Sequence, residues 1–563
     1  MSADPILTAV IQRKLVAIAE EMATTLLRTT RSALLSQAGD LGTAVLGADG
    51  ELLAGAEYVP VLALSLKYTC ESVARQFAGE LHPGDVILHN DVFSGGAQTN
   101  DVGVLVPVFV DGELLAWVAT RGHQLDIGGP VPGGANPLAR DVYQEALQIS
   151  AVKVVDRGSF RPDVWNLIFT NIRARETVEA DMRAQIGACG VGARELTSLV
   201  DQYGVERFGA YCSEMLSAGE NMMRSRIAAV PDGIYRGSSV VNDDARGHVE
   251  HFEIVVTITV ADDELTVDYT GSSVQAPGYT NAPAASSGSA TMTALFGLLA
   301  PDIPHNDGVL RPVRLVLPEG SIVNPRPPAA TFYGNFMAVH IYEAVMDAMR
   351  SAMPDQVTAG WNRAYDIRTS GRDPRTGHDY NDIHFLGIKG GSGALAGSDG
   401  YSQGSPVFAP ALRTEDYEIS ELQHPHFLIR HEYLTDSAGA GQWRGGLGVV
   451  YECRIDADQF HAVTQGDGLI EGAHGINGGL AGTANRIEVI TPDGVGRTAH
   501  AMQIFSELPA GTVIRQHTGG GGGYGNPRHR DHDLVRADVA DGLVSARAAH
   551  RLYGLRIEQR ADE

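Results

Sequence analysis

Only four cysteines occur in the chain, Cys70, Cys189, Cys212 and Cys453, far apart and with no Cys-x-x-Cys pair. That spacing fits neither a disulfide framework nor a thiolate zinc site, so a reducing compartment is expected. Positive charge is also scarce: 43 lysines and arginines face 68 aspartates and glutamates, a formal net charge of -25. Such acidity argues against sequence-independent binding to nucleic acid or anionic lipid and favours solubility. No apolar run approaches the ~18 residues of a membrane span. The N-terminal stretch carries Asp4 and Glu20-Glu21 among its apolar residues and lacks a basic-then-apolar signal pattern. A cytoplasmic location is therefore expected. Neither a dinucleotide fingerprint nor a Gly-Lys-Ser/Thr phosphate loop is found. Five glycines at 519–523 run into Tyr524-Gly525-Asn526-Pro527 with no following helix, which reads as a tight structural crossing.

What the chain does have is glycine and apolar sequence. Its 66 glycines are spread through a 563-residue chain that is 44% apolar, which points to many turns and close backbone approaches in more than one domain. The expected class is a multi-domain α+β protein with mixed helices and glycine-rich antiparallel sheets. Four segments are anticipated: an N-terminal α+β domain at 1–158, a helical segment at 159–229, a β-rich α+β domain at 230–354, and a C-terminal glycine-rich β domain with a helical tail at 355–563. Leu7, Ile11, Leu15, Ile18, Met22 and Leu26 form one apolar stripe, predicting a helix over 5–30 with Asp4 as cap. Further helices are expected at about 64–79, 160–228, 290–299 and 336–353, with a loop at 271–289.

The stretch 90–145 organises the N-terminal part. Two strand-like runs, 102–110 and 113–120, flank Asp111-Gly112, a strong hairpin signal. Antiparallel pairing brings the flank ending in Asp101 beside the flank that holds His123 and Asp126. Carboxylates and an imidazole converging among glycines point to a metal or acid–base site. An earlier hairpin signature, with Asp40 at the mouth of its first strand, precedes this one. The loop at 436–448 sets Arg444 between Trp443 and two glycines, which serves equally an anion site or a structural turn.

Six blocks then occur in order: Gly-Asp-Leu-Gly at 39–42, Asn-Asp-x-x-x-Gly-Gly at 90–96, His-x-x-Asp-Ile-Gly-Gly at 123–129, Thr-Asn-Ala-Pro at 280–283, Arg-Gly-Gly-Leu-Gly at 444–448 and Gly-Gly-Gly-Tyr-Gly-Asn-Pro at 521–527. With the tail Asp-Val-x-Asp-Gly-Leu-Val-Ser at 538–545 they make the sequence resemble the hydantoinase B/oxoprolinase family over about 5–555. That family includes B subunits of ATP-dependent N-methylhydantoinase and lactam-opening enzymes, part of 5-oxoprolinase, and related subunits of acetone and acetophenone carboxylases. The resemblance implies a separate hydantoinase A-type, actin-like subunit that binds ATP and phosphorylates the substrate oxygen. The lack of an ATP loop here agrees with that division. A hetero-oligomer containing homodimerised B subunits is implied as well.

The resemblance also implies a divalent metal held by histidine and aspartate. Carried over residue by residue, its ligands fall on Asp40, Asp101 and His123, with Gln98 where the family has a histidine. Gln124, Tyr58 and Leu62 occupy further family histidine positions. Asp126 is expected to orient His123 or act as base, and Glu145 to stand behind them, so that His123, Asp126 and Glu145 form the catalytic group. An oxygen-rich ligand set suits magnesium or manganese better than zinc. Three readings stay open: a metal of altered identity, metal-free acid–base chemistry, or a scaffold subunit that has lost its site. The implied activity is hydrolysis of a phosphorylated cyclic amide, with ATP-dependent ketone carboxylation as the alternative.

Overall fold

The Asp111-Gly112 turn closes its hairpin with positive φ at both residues, 51° and 86°, the backbone a two-residue type I′ connection demands. In the computed structural model, which describes residues 4–242 and 251–557, this hairpin forms the centre of a seven-stranded antiparallel sheet. The sheet takes in β1 (Leu41–Gly47), β2 (Leu52–Ala56), β3 (Val86–His89), β4 (Asp101–Val110), β5 (Glu113–His123), β6 (Val152–Asp156) and β7 (Ser159–Phe160), in the order β2-β1-β5-β4-β3-β6-β7. The two central strands run further than their apolar texture implied. Asp101 and His123 therefore belong to the ladder itself and are direct partners in it.

Helices cover both faces of this sheet. α1 (Pro5–Thr29) starts on Asp4, whose side chain accepts a hydrogen bond from the Ile6 amide at 2.9 Å. Ile11, Leu15, Ile18, Met22 and Leu26 are all buried in one core with residues of α4. α2 (Pro60–Gln76) opens at Pro60 rather than near 64, because proline suits the first turn. Its Ser65 and Thr69 meet Arg121 on one face of β5. α3 (Pro162–Phe169), α4 (Arg175–Tyr203) and α5 (Val205–Ile227) make up the polar helical stretch, and Gln185 of α4 bonds Gln124 on the other face.

A second sheet in the same unit has the order β11-β10-β9-β8, from β8 (Gly233–Val241), β9 (Phe252–Ala261), β10 (Glu264–Asp268) and β11 (Val313–Val316), the last pair parallel. α6 (Ala284–Leu299), the single turn α7 (Asp307–Leu310) and α8 (Met337–Met349) accompany it. α6 begins six residues earlier than expected, within a run of alanine, serine and glycine read as loop. Its serines and glycine have weak helix propensity, but burial overrides it. Ser286 and Ser287 donate to the Ala97 and Val323 carbonyls outside the helix, while Ser289 donates to the Ala285 carbonyl and Thr291 to that of Ser287, at 2.7 and 2.8 Å.

Two compact units divide the chain, one built from Met1–Val240, Phe252–Ala352 and Ala411–Arg413, the other from Val241–His251, Met353–Pro410 and Thr414–Glu563. The second unit contains β12 (Tyr365–Arg372), β13 (Asp379–Ile383), α9 (Phe385–Ile388), α10 (Tyr417–Gln423), β14 (His426–Tyr433), β15 (Val449–Ile455), β16 (Phe460–Gly466), β17 (Arg486–Ile490), β18 (Gly496–Thr498), β19 (Gln503–Leu508), β20 (Thr512–His517), α11 (His532–Ala540) and α12 (Ala546–Ala548). Its sheets have the orders β13-β12-β16-β19 and β14-β15-β20-β17-β18. The five glycines sit where backbones cross. A Cβ on Gly520, Gly521 or Gly522 would collide with the carbonyl oxygen of Ser437, Ser392 or His474 respectively. Arg444 is likewise structural, its guanidinium donating to the Gly445 carbonyl and to Asp538 at 2.8 and 3.3 Å. Among the described residues no helix is long and apolar enough to cross a membrane.

Candidate active site

Three strand ends of the first sheet meet at one level. β5 pairs with β4 so that His123 lies opposite Asp101, and with β1 so that Gly122 lies opposite Leu41. The His123 amide extends the second ladder by donating to the Asp40 carbonyl at 3.1 Å. Asp40, His123 and Asp101 thus form a row across adjacent strands, and directly opposed residues project from the same face. His123 and Asp101 are both buried, and Nδ1 of His123 lies 2.7 Å from Oδ1 of Asp101. An ionised carboxylate only accepts, so this contact places the imidazole proton on Nδ1. Nε2 of His123 is then left with a bare lone pair. It is buried and has no hydrogen-bond partner.

Asp101 is held from its other side by a residue with no sequence signal. Nδ2 of Asn335 donates to Oδ2 of Asp101 at 2.8 Å and to Oε1 of Gln98 at 3.2 Å. Gln98 in turn donates through Nε2 to the Phe332 carbonyl, which turns its oxygen toward Asn335. Asn335 closes a short helical turn, Phe332–Asn335, ahead of α8. It lies more than 200 positions from its partners, so no local pattern marks it.

Glu145 acts through that same turn. Its Oε1 accepts from the amides of Thr331 and Phe332 at 2.5 and 2.7 Å. Burial pushes its pKa up to about 8, against the lowering effect of those hydrogen bonds. The contacts make Glu145 a positioning residue for the segment that carries the Phe332 carbonyl and Asn335. Asp126 is engaged elsewhere. Its Oδ1 accepts from the amides of Gly128 and Arg173, at 2.9 and 3.2 Å, and its Oδ2 from Gly133 N and Arg173 Nη1, both at 3.1 Å. The carboxylate beside the imidazole is Asp101, and Asp126 ties the glycine loop to Arg173. Gly129 in that loop has φ of 88°, and a Cβ there would strike the Glu145 carbonyl, so only glycine fits.

Arg121 is fully buried and reaches Ser65 through Nη1 and Thr69 through Nη2, the latter at 2.5 Å. Burial lowers its pKa to about 10, while the charge of Asp101 works in the opposite direction. The guanidinium therefore balances the buried carboxylate. Gln124 lies on the α4 face, bonded to Gln185 at 2.9 Å. Tyr58 packs its ring over Gly39, next to Asp40, and Leu62 is fully buried.

A second polar cluster lies in the other unit, where donor atoms of His384, His426 and Cys453 come within 4.8 Å of one another. None of its members stands out in the sequence, because they carry no recurring spacing.

With this geometry in place, comparison with known proteins decides the kinship. Residues 4–527 match the hydantoinase B/oxoprolinase family. The chain belongs to that family. It is 35% identical over 571 aligned residues to the caprolactamase subunit beta of Pseudomonas jessenii, covering 99% of this chain and 96% of that one. The crystal structure of the ATP-dependent caprolactamase from Pseudomonas jessenii superposes with a TM-score of 0.92 at 34% identity, covering all of this chain and 98% of that chain. A nucleotide-free acetone carboxylase structure shares the fold, with a TM-score of 0.91 at 22% identity, over 99% of this chain and 80% of that chain. The expected α+β architecture is that of the caprolactamase.

Proposed function

We propose that this chain is the B-type subunit of an ATP-dependent cyclic-amide hydrolase, paired with an A-type ATPase subunit that phosphorylates the substrate carbonyl oxygen. Support comes from the full-length likeness to a caprolactamase subunit. The observation that carries the chemical reading is the buried His123 Nε2, left without a partner while Nδ1 is anchored on Asp101. Amide carbonyls are poor electrophiles. Phosphorylation of the oxygen makes the carbon imidate-like, water adds to it, and the ring C–N bond breaks with the nitrogen leaving as a protonated amine. A second water releases inorganic phosphate from the resulting acyl phosphate. His123 takes a proton from the first water through Nε2, and Asp101 fixes the tautomer and stabilises the imidazolium.

Asn335 and Gln98 hold Asp101 in place, Arg121 offsets its charge, and Glu145 holds the turn that carries Asn335. Asp40, Gln98, Asp101 and His123 are also the residues that would hold a divalent ion. By type these are two carboxylates, an amide oxygen and an imidazole. In this structure, however, Asp101 and Gln98 turn oxygens to His123 and Asn335, and an ion on Nε2 of His123 would replace the role of that nitrogen as base. Such an ion supplies Lewis acidity when bound.

Co-expression with an A-type subunit and assay of ATP-dependent turnover over lactams, hydantoins and ketones tests this reading. Ring opening without bicarbonate, abolished in Asp101→Ala and His123→Ala, is the expected result. Bicarbonate-dependent incorporation of label into an acid would instead assign the chain to ketone carboxylation. Unchanged turnover in both variants would remove the site assignment.

A further inference from the structure

The interior of the second unit holds a polar group that an apolar core does not need. Thr369 of β12 stands directly opposite Asp382 of β13, and His384 follows that strand at the entrance to α9. From the other sheet come His426, the first residue of β14, and Cys453 of β15, which pairs with Leu428. Asp382, His384, His426 and Cys453 are all at least 94% buried, among Tyr365, Ile367, Leu386 and Phe460 of the core.

The two imidazoles are oriented alike. Nδ1 of His384 lies 2.8 Å from the Tyr451 hydroxyl, and Nδ1 of His426 lies 3.5 Å from Oδ2 of Asp382. Both Nε2 atoms converge on one point, the Thr369 hydroxyl, at 2.9 and 3.3 Å. That hydroxyl has a single proton and can donate to only one of them. Cys453 completes a trio of donors within 4.8 Å of one another. Holding the far nitrogen of each histidine with a carboxylate or hydroxyl, so that the near nitrogens converge, is the usual support for histidine metal ligands.

Asp382 lies 3.5 Å from a ring nitrogen of both His424 and His426, so it braces this end of the cluster.

We propose that His384 Nε2, His426 Nε2 and Cys453 Sγ bind a zinc-class divalent ion, with Asp382 and Tyr451 as positioning residues and the fourth ligand position facing Thr369. The ion cross-links strands of the two sheets in this unit and is independent of the candidate active site. The ligand set, two imidazoles and one thiolate, selects zinc or cobalt over magnesium or calcium.

The test uses the full-length protein, stripped with a chelator and titrated with cobalt(II). A thiolate-to-cobalt charge-transfer band should develop and saturate at one equivalent. It should vanish in Cys453→Ser and persist in His123→Ala. Zinc absorption spectroscopy should give one sulfur at ~2.3 Å and nitrogen ligands at ~2.0–2.1 Å. Should Cys453→Ser misfold, the wild-type spectra alone decide. No thiolate band in folded, cobalt-treated wild type, or a zinc shell without sulfur, would overturn the proposal. So would a band that survives in folded Cys453→Ser.

Discussion

Each unit buries histidine beside aspartate, yet the two clusters are built differently. In the first, Asp101 and His123 are cross-strand partners in one hairpin, and Asp40 enters from the neighbouring strand through a backbone hydrogen bond. The backbone ladder alone fixes their spacing. In the second, Asp382 and His384 come from the end of β13 and His426 and Cys453 from the β14–β15 ladder of the other sheet, so packing between the sheets brings the two pairs together. The first cluster also has a counter-charge, the buried Arg121, whereas the second gathers two imidazoles and a thiol within 4.8 Å of one another. A site set in a ladder can leave one reactive nitrogen open at little structural cost. Three converging donor atoms set between two sheets can hold an ion instead, which is why we assign catalysis to the one and a cross-linking ion to the other.

The contrast can be broken most directly at His123. His123→Ala should lower turnover of the assembled enzyme by about 10²–10⁴-fold, the usual contribution of a general base, with little change in thermal midpoint. Cys453→Ser should do the reverse, lowering the midpoint while turnover per folded molecule stays within about twofold. Exchange of these two phenotypes would invert the roles given to the clusters. Next in size is Asp101→Asn, which keeps the shape but allows the wrong imidazole tautomer. Its kcat should fall by more than about tenfold with KM little changed.

Gly129→Ala tests the support of the site rather than its chemistry. With φ at 88° and the Glu145 carbonyl in the way, it should cost about 1–3 kcal/mol in denaturant unfolding. The smallest effect is expected at Glu145. Burial raises its pKa from the ordinary 4.5 to about 8, so the folded state holds this proton more tightly than the unfolded chain does. The stability it contributes is complete below about pH 4.5 and is lost as pH rises through 8. Glu145→Gln should therefore flatten the decline of the thermal midpoint across that window. An unchanged slope would show that Glu145 is ionised in the fold.

Much of the first cluster is legible in the sequence. Equal counting outward from the Asp-Gly turn sets Asp101 opposite Gly122, so the sequence brings the two flanks together. A register shift between Val108 and Phe109 makes His123 the direct partner. The role of Asp126 does not follow, because a residue three positions past a strand end is directed by its loop, here by Gly128, Gly133 and Arg173. Asn335 and the Thr331–Phe332 amides that meet Glu145 are not legible either. They come from a turn about 190 to 240 positions away, and its residues look like any aromatic loop. The start of α6 is hidden for a different reason: its alanines, serines and glycine have the composition of a loop, and only burial makes them a helix.

By itself, then, the sequence determined the periodic and local features: the apolar stripe of α1, the central hairpin that brings the Asp101 and His123 flanks together, and the glycine blocks that mark the family. Those are encoded within a few turns of chain, where spacing alone decides which side chains meet. Tertiary structure decided which carboxylate touches His123, which residues hold it there, and that His384, His426 and Cys453 meet at all. These contacts join segments with no shared periodicity, and their geometry exists only once sheets and helices have packed and excluded water.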